Sequence, residues 1–169
     1  MTRYRMISMW LRRKPTLDKL SPEETQLVAQ RLAMKLLGIR EHTVLELRHK
    51  LAQRGFDGTL IETVLADLVA ADYLDDMRFA EVYAHSRADK GYGPLRIGRE
   101  LRERGVSEVI VTNVLQQFDD FWGPKLAALQ RRRFGAALPR DLASRAQQLR
   151  FLRQRGFTQG QIKALFEDS

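Results

Sequence analysis

The chain has 169 residues, 44% of them hydrophobic, and its 29 Lys and Arg against 21 Asp and Glu give a formal net charge of +8. This length and composition can bury a core, which excludes wholesale disorder, and the positive charge suggests a polyanionic partner. Cysteine is absent, which excludes disulfides and thiolate zinc sites, and no run of about 18 apolar residues occurs, so we expect a cytoplasmic protein without a membrane partner.

The basic charge is concentrated at the two ends of the chain. Residues 1–20 carry a net charge of +5, residues 21–120 carry −4, and residues 121–169 carry +7. Two cationic ends could hold a phosphate backbone or an acidic protein groove. Alternatively, residues 1–20 are a disordered arm and the terminal charges are only solvated surface. The pattern favours a binding role for the C-terminal third and leaves the arm undecided.

The first predicted helical unit covers residues 21–70. Ser21, Pro22 and Glu24 match the N-cap, N1 and N3 positions of a helix start. Around Gly55, Leu51 lies four residues before and Ile61 six residues after, and such spacings continue along one face of each flanking helix. The unit is therefore predicted to contain three helices.

The same pattern returns twice, with glycines 50 and 51 residues apart at Gly55, Gly105 and Gly156. Each glycine follows an arginine and precedes Phe or Val, and the apolar offsets around it agree in all three copies. Glycine adopts the left-handed conformation that ends many helices, so each Arg-Gly pair is predicted to separate two helices.

The second and third units cover residues 71–120 and 121–169. A helix opening at Leu74 is predicted to carry Phe79, Val82 and Tyr83 inward, and Pro94 is predicted at N1 of the next helix. In the third unit, the helix is predicted to open at residues 122–124. Without sustained period-two alternation, the sequence predicts an all-α protein of three tandem three-helix repeats forming an elongated, curved chain.

No constellation supports catalysis or a cofactor. Asp75 and Asp76 are adjacent and diverge by about 100° in a helix, so an N-cap for the following helix is favoured over a metal or acid–base pair. The glycines at 91 and 93 lack the Lys-Ser/Thr of a phosphate loop. The three histidines, His42, His49 and His85, lack metal-ligand spacing. We therefore expect a protein without enzymatic activity, cofactor or metal.

Arginines form the only suggestive pattern. A row at i, i+3, i+6 comprises Arg96, Arg99 and Arg102, and the C-terminal third adds Arg131, Arg132, Arg133, Arg150 and Arg153. The planar guanidinium suits phosphate and carboxylate groups. Glu100 and Glu103 can neutralise the first row, which favours a merely solvated face there. Few acids lie near the others, so these are predicted to bind a partner or nucleic acid.

These motifs resemble the bacterial RecX regulatory proteins over roughly residues 25–169. The resemblance is carried by the Arg-Gly repeat and by residues 73–80 and 91–106. The signature positions are Gly55, Tyr73, Asp75, Asp76, Phe79, Gly91, Gly93, Arg96, Glu100, Leu101, Gly105 and Gly156. Most of these residues have structural roles in our interpretation, so the contact groups are expected among the arginines of the C-terminal third and in the row Arg96, Arg99 and Arg102.

The resemblance implies a non-enzymatic, cytoplasmic modulator that binds the RecA recombinase filament. Such proteins suppress its strand exchange, ATP hydrolysis and the co-protease activity of the SOS response. Weak contact with single- or double-stranded DNA is secondary, and we expect a monomer. Two alternatives stay open: a DNA-binding repressor built from tandem helical modules, and a general helical scaffold for another acidic protein.

Overall fold

The structure, a computed structural model, describes Leu17, residues 20–135, Pro139 and residues 141–167. The predicted arm at residues 1–20 therefore lies almost entirely outside the described residues. The described part is helical and contains no strand, which confirms the all-α prediction. The helices are α1 Pro22–Leu37, α2 Val44–Gln53, α3 Gly58–Ala70, α4 Asp76–Asp89, α5 Pro94–Glu103, α6 Glu108–Gln117, α7 Asp119–Phe134, α8 Leu142–Arg155 and α9 Gln159–Glu167.

The helices fall into the three predicted groups of three, and the chain divides into two compact units, residues 1–76 and 77–169. The predicted repeat boundaries and the elongated, curved arrangement stay predictions. In the first unit, α1, α2 and α3 pack around Leu47, Leu51 and Val64, all fully buried. Burying each such side chain stabilises the fold by about 1.5–3 kcal/mol.

The second unit has one core made by helices of the second and third repeats. Trp122, Ile97, Leu126 and Phe157 are almost completely buried within it. Helix α4 contributes one face to this core, where Phe79, as predicted, and three alanines (Ala80, Ala84 and Ala88) are buried. The prediction that Val82 points inward was wrong: it is 55% exposed, because it lies outside this alanine row.

The Arg-Gly turn has the same geometry in each repeat. Its glycine has a left-handed φ of 91°, 85° and 93° at Gly55, Gly105 and Gly156, as predicted. The glycine N–H donates to the carbonyl three residues earlier, and the next N–H donates to the carbonyl five residues earlier. These two bonds define a Schellman helix end. The following residues, Phe56, Val106 and Phe157, are buried as the chain turns back onto the core.

Two helix starts test the predicted boundaries. At α1 the capping box is formed as predicted, because the Ser21 hydroxyl accepts from the Glu24 N–H at 3.2 Å and Glu24 Oε2 accepts from the Ser21 N–H at 2.8 Å. The prediction for α7 was wrong: it begins at Asp119, and Pro124 lies inside the helix. Two aspartates in its first turn favour the earlier start by interacting with the helix dipole.

Candidate partner-binding surface

Helix α5 places a buried carboxylate against the core of the second unit. The helix starts with Pro94 at N1, and its inward face buries Ile97 and Leu101. Glu100 lies beside Leu101 and is only 8% exposed. A buried carboxylate must be paired to stay charged, so its partners define the local structure.

Glu100 is held by three side chains, which together with it we name the Glu100 cluster. Glu100 Oε2 accepts from the Tyr83 hydroxyl at 2.8 Å and from Arg87 Nε at 2.7 Å. Glu100 Oε1 accepts from Arg87 Nη2 at 2.5 Å and from Arg96 Nε at 3.0 Å. The Arg87 contact is therefore bidentate, the strongest geometry available to an Arg–carboxylate pair.

The cluster keeps Glu100 ionised. Burial alone would raise the pKa of Glu100, but hydrogen bonds from Arg87, Arg96 and Tyr83 outweigh it and lower this pKa to about 2. Burial, together with the hydrogen bond to Glu100, raises the pKa of the Tyr83 hydroxyl. At neutral pH the cluster is thus a fixed ion pair with a phenol donor, which joins α4 to α5.

Tyr92 lies in the turn between α4 and α5, and three guanidinium groups lie close to its ring. The Cζ atoms of Arg87, Arg96 and Arg155 lie 3.9, 4.4 and 5.2 Å from the centroid of its ring. The aromatic face attracts each cation through its quadrupole. We name Tyr92 and these three arginines the Tyr92 site.

A close backbone crossing positions Arg155 in this site. The Gly93 N–H donates to the Arg155 carbonyl at 2.8 Å, and the Leu95 N–H donates to the Gly156 carbonyl at 3.0 Å. A Cβ at Gly93 would lie 2.5 Å from the carbonyl oxygen of Gly156, so only glycine permits this approach. The signature glycines at 93 and 156 therefore join the second repeat to the third.

The predicted α5 arginine row, Arg96, Arg99 and Arg102, is fully paired. Arg96 joins the Glu100 cluster, and Arg99 Nε lies 3.6 Å from Glu103 Oε1. Arg102 makes a bidentate pair with Glu108 at 2.5 and 2.6 Å. The pairs with Glu100 and Glu103 are those expected from the sequence, whereas Glu108 was not expected as a partner, and a binding role for this row stays a prediction.

The remaining predicted arginines, which we name the C-terminal arginine set, lie on α7 and α8 and have no acidic partner among the described residues. All five are exposed: Arg131, Arg132, Arg133, Arg150 and Arg153. Arg153 donates only to the amide oxygen of Gln159, at 3.3 Å, and Arg133 lies over the Phe134 ring at 5.6 Å. No described carboxylate compensates their charge, so these exposed arginines can attract anionic groups.

The predicted acidic pair has a structural role. Asp75 immediately precedes α4, and α4 begins at Asp76. The Asp76 carboxylate accepts the N–H of Val44, the first residue of α2, at 2.9 Å. Burial raises the pKa of Asp76. Asp76 thus caps the start of α2, and the predicted N-cap role of the acidic pair for α4 stays a prediction.

Nothing in the described ranges assembles a metal centre or spans a membrane. Residues 20–135 and 141–167 contain no group of three His, Asp or Glu side chains placed to hold a cation. No helix within those ranges is both long and apolar enough to cross a bilayer. His42 is buried beside the Arg40 carbonyl, its Nδ1 2.9 Å from that oxygen, and burial lowers its pKa.

Four residues of these two sites were not predicted as site residues from the sequence: Tyr83, Arg87, Tyr92 and Arg155. Tyr83 and Arg87 stand four residues apart on one helix face, a signal that could have identified two of them. Arg155 could not be found this way, because its neighbours come from a turn more than 60 residues earlier.

The fold and these side chains define an all-α protein of three-helix repeats whose exposed arginines on α7 and α8 have no acidic partner in the described part of the chain. Residues 29–68 match the family description "RecX, first three-helix domain", and residues 75–115 match "RecX, second three-helix domain". Regulatory protein RecX of Halorhodospira halophila is 44% identical over 78% of this chain and 82% of that protein. Regulatory protein RecX of Pseudomonas putida is 39% identical over 84% of this chain and 91% of that protein.

The fold is similar to that of RecX from Lactobacillus salivarius, with a TM-score of 0.75, 20% identity, and coverage of 85% of this chain and 95% of that one. A second crystal structure, of a regulatory protein RecX, has a TM-score of 0.70 at 22% identity, over 84% of this chain and 73% of that one. The chain belongs to the RecX family of regulatory proteins.

Proposed function

We propose that this protein binds the RecA nucleoprotein filament and inhibits its recombinase, ATPase and co-protease activities, thereby modulating DNA repair and the SOS response. Membership of the RecX family supports this proposal. The protein acts in the cytoplasm, as a monomer, by binding and not by catalysis.

The observation that carries the proposal is the difference in pairing among the arginines. The C-terminal arginine set is exposed and has no carboxylate partner within the described part, whereas the α5 arginine row is occupied by Glu100, Glu103 and Glu108. Exposed guanidinium groups can pair with carboxylates or phosphates of a partner without first breaking an internal pair. Several such contacts along a filament would add through effective concentration.

The alternative of a DNA-binding repressor is less well supported. In such a module the helix after the turn enters the major groove and needs nearby cations for the phosphates. Helices α3 and α6, which follow the first two Arg-Gly turns, contain no Lys or Arg. The exposed face of α6 instead presents Glu108, Thr112 and Asn113.

The proposal is tested by the ATPase rate of RecA on single-stranded DNA as this protein is added at fixed salt. We expect inhibition well below one copy per RecA subunit, because binding at filament ends or across several subunits affects many active sites. Inhibition that requires coating of the DNA, and that also occurs with an unrelated DNA-dependent ATPase, would support the DNA-binding alternative. No effect of the folded protein at any ratio would refute the proposal.

A further inference from the structure

The Tyr92 site has more positive charge than its internal partner can neutralise. Arg87, Arg96 and Arg155 all lie within 5.2 Å of the Tyr92 ring centroid, and Glu100 is the described carboxylate that pairs with Arg87 and Arg96. Both oxygens of Glu100 are already engaged by Arg87, Arg96 and Tyr83. Three guanidinium groups against one carboxylate leave a local net charge of about +2, which matches a dianion.

Arg155 provides the unused hydrogen-bond donors of this site. Its guanidinium lies 5.2 Å from the Tyr92 centroid and 5.1 Å from the Phe151 centroid, and it donates to no acceptor within the described part of the chain. Its backbone is fixed by the bond from Gly93. The group is thus held in place by two rings and one turn while its five N–H donors stay available.

A fourth arginine reaches the same turn. Arg132 Nη2 lies 3.4 Å from the position that a Cβ on Gly91 would occupy. Arg132 is exposed and has no acidic partner among the described residues. The side chains of Arg87 and Arg96 stay 19% and 34% exposed, so solvent and small ligands can approach the site.

We propose that the Tyr92 site binds a small phosphate-bearing anion, of the class of inorganic pyrophosphate or the terminal phosphates of a nucleoside polyphosphate. Phosphate oxygens can accept from several planar guanidinium groups at once, and fixed donors lose little freedom on binding. A long strand fits less well, because the next arginines along α5 are paired with Glu103 and Glu108, whose carboxylates would repel it. This proposal does not depend on RecA binding.

The test is a titration of the full chain with inorganic pyrophosphate at constant ionic strength, followed by calorimetry and by the midpoint of thermal unfolding. We expect saturable binding of one ligand and a midpoint raised by roughly 5 °C at about one hundred times Kd. Sodium acetate at the same ionic strength should produce neither effect.

Two substitutions locate the site. Arg155→Gln should weaken pyrophosphate binding at least tenfold, because it removes the preorganised donor group. Arg99→Gln is the matched control, since Arg99 lies on α5, outside the site, and should leave binding unchanged. If Arg155→Gln does not fold, Arg132→Gln replaces it, with an expected loss of about threefold because Arg132 is exposed at the edge of the site.

Two further ligands distinguish a nucleotide from a nucleic-acid strand as the source of the phosphate. A nucleoside triphosphate should compete with pyrophosphate, and an oligonucleotide without a terminal phosphate should not. Absence of saturable pyrophosphate binding, or equal binding by the Arg155 and Arg99 variants, would overturn the proposal. So would a requirement for Arg155 in oligonucleotide binding alone, since it would indicate a nucleic-acid strand as the ligand.

Discussion

The α5 arginine row and the C-terminal arginine set have similar sequences but different surroundings. Arg96, Arg99 and Arg102 on α5 and Arg150 and Arg153 on α8 have the same i, i+3 spacing within the second unit. In α5, each arginine finds a glutamate within 3.6 Å, from its own helix or from the start of α6. On α7 and α8, no described carboxylate lies within ion-pair distance of the set. Arginine spacing therefore indicates a binding surface only when the acids within reach are also considered.

The difference also separates structural arginines from interaction arginines. Arg87 and Arg96 stabilise the join between α4 and α5 through buried Glu100, so their loss should reduce folding stability. Arg150 and Arg153 are exposed, so their loss should change binding and leave stability unaffected.

Glu100→Gln should strongly reduce stability. We expect a loss of about 3 kcal/mol in the free energy of unfolding at pH 7, because each unit between the ordinary Glu pKa and about 2 corresponds to about 1.4 kcal/mol. Urea unfolding measures this loss. Glu103→Gln is the control, since Glu103 is exposed and pairs only with exposed Arg99. Equal unfolding free energies of the two variants would show that the Glu100 cluster stabilises the fold no more than the exposed pair of Arg99 and Glu103.

Gly156→Ala should destabilise the protein by about 3 kcal/mol. The residue has φ 93°, and its new Cβ would lie 2.6 Å from the backbone nitrogen of Arg96. Gly55→Ala is a matched control: its φ is 91°, but its Cβ would meet only a Leu17 methyl at 3.9 Å. For Gly55→Ala we expect a loss of about 1 kcal/mol in the free energy of unfolding, because only the left-handed backbone conformation disfavours alanine there. Thermal melts giving the same loss for both variants would contradict a glycine-dependent crossing.

The Glu100 cluster should also make stability depend on pH. The pKa of Glu100 is lower in the folded state, so its contribution is fully present above about pH 4.5 and is lost as the pH falls toward 2. At pH 3 we expect the difference between the parent and Glu100→Gln to have fallen by more than half. Urea midpoints of both proteins from pH 7 to pH 3 measure it. A difference that stays constant over this range would exclude the ionised cluster.

Arg99→Gln should have the smallest effect. The Arg99 side chain is 66% exposed and its glutamate partner 62% exposed, so solvent screens the pair. We expect a change within about 0.5 kcal/mol in unfolding free energy. A loss comparable to that of Glu100→Gln would mean that the exposed pair of Arg99 and Glu103 stabilises the fold as much as the Glu100 cluster does.

Local signals in the sequence predicted most of the fold. The three glycines, the Ser21 capping box and the Pro94 start each depend on neighbours within about five residues, and all were confirmed. The α7 start was missed because Trp122, Gly123 and Pro124 look like a break, whereas Asp119 and Asp120 begin the helix. Val82 was misplaced because small alanines form the packed face of α4.

The candidate sites were harder to predict because their partners are distant in sequence. Arg131, Arg150 and Arg153 were identified from a shortage of nearby acids, and the structure places them on the surface without acidic partners among the described residues. The Tyr92 site depends on Arg155, which a backbone crossing brings to the ring. That crossing needs two glycines 63 residues apart, and a single sequence gives no sign that they meet.

Binding to an assembled RecA filament on single-stranded DNA shows whether the C-terminal arginine set contacts the filament. The comparison is between the parent protein, the double variant Arg150→Glu/Arg153→Glu, and Arg48→Glu, whose arginine pairs with Glu62 at 2.7 Å. We predict saturable binding by the parent, binding at least tenfold weaker for the double variant, and a smaller loss for Arg48→Glu, with the ATPase inhibition following the same order. Equal affinity of the double variant and the parent, with both folded, would contradict a role for the C-terminal arginine set.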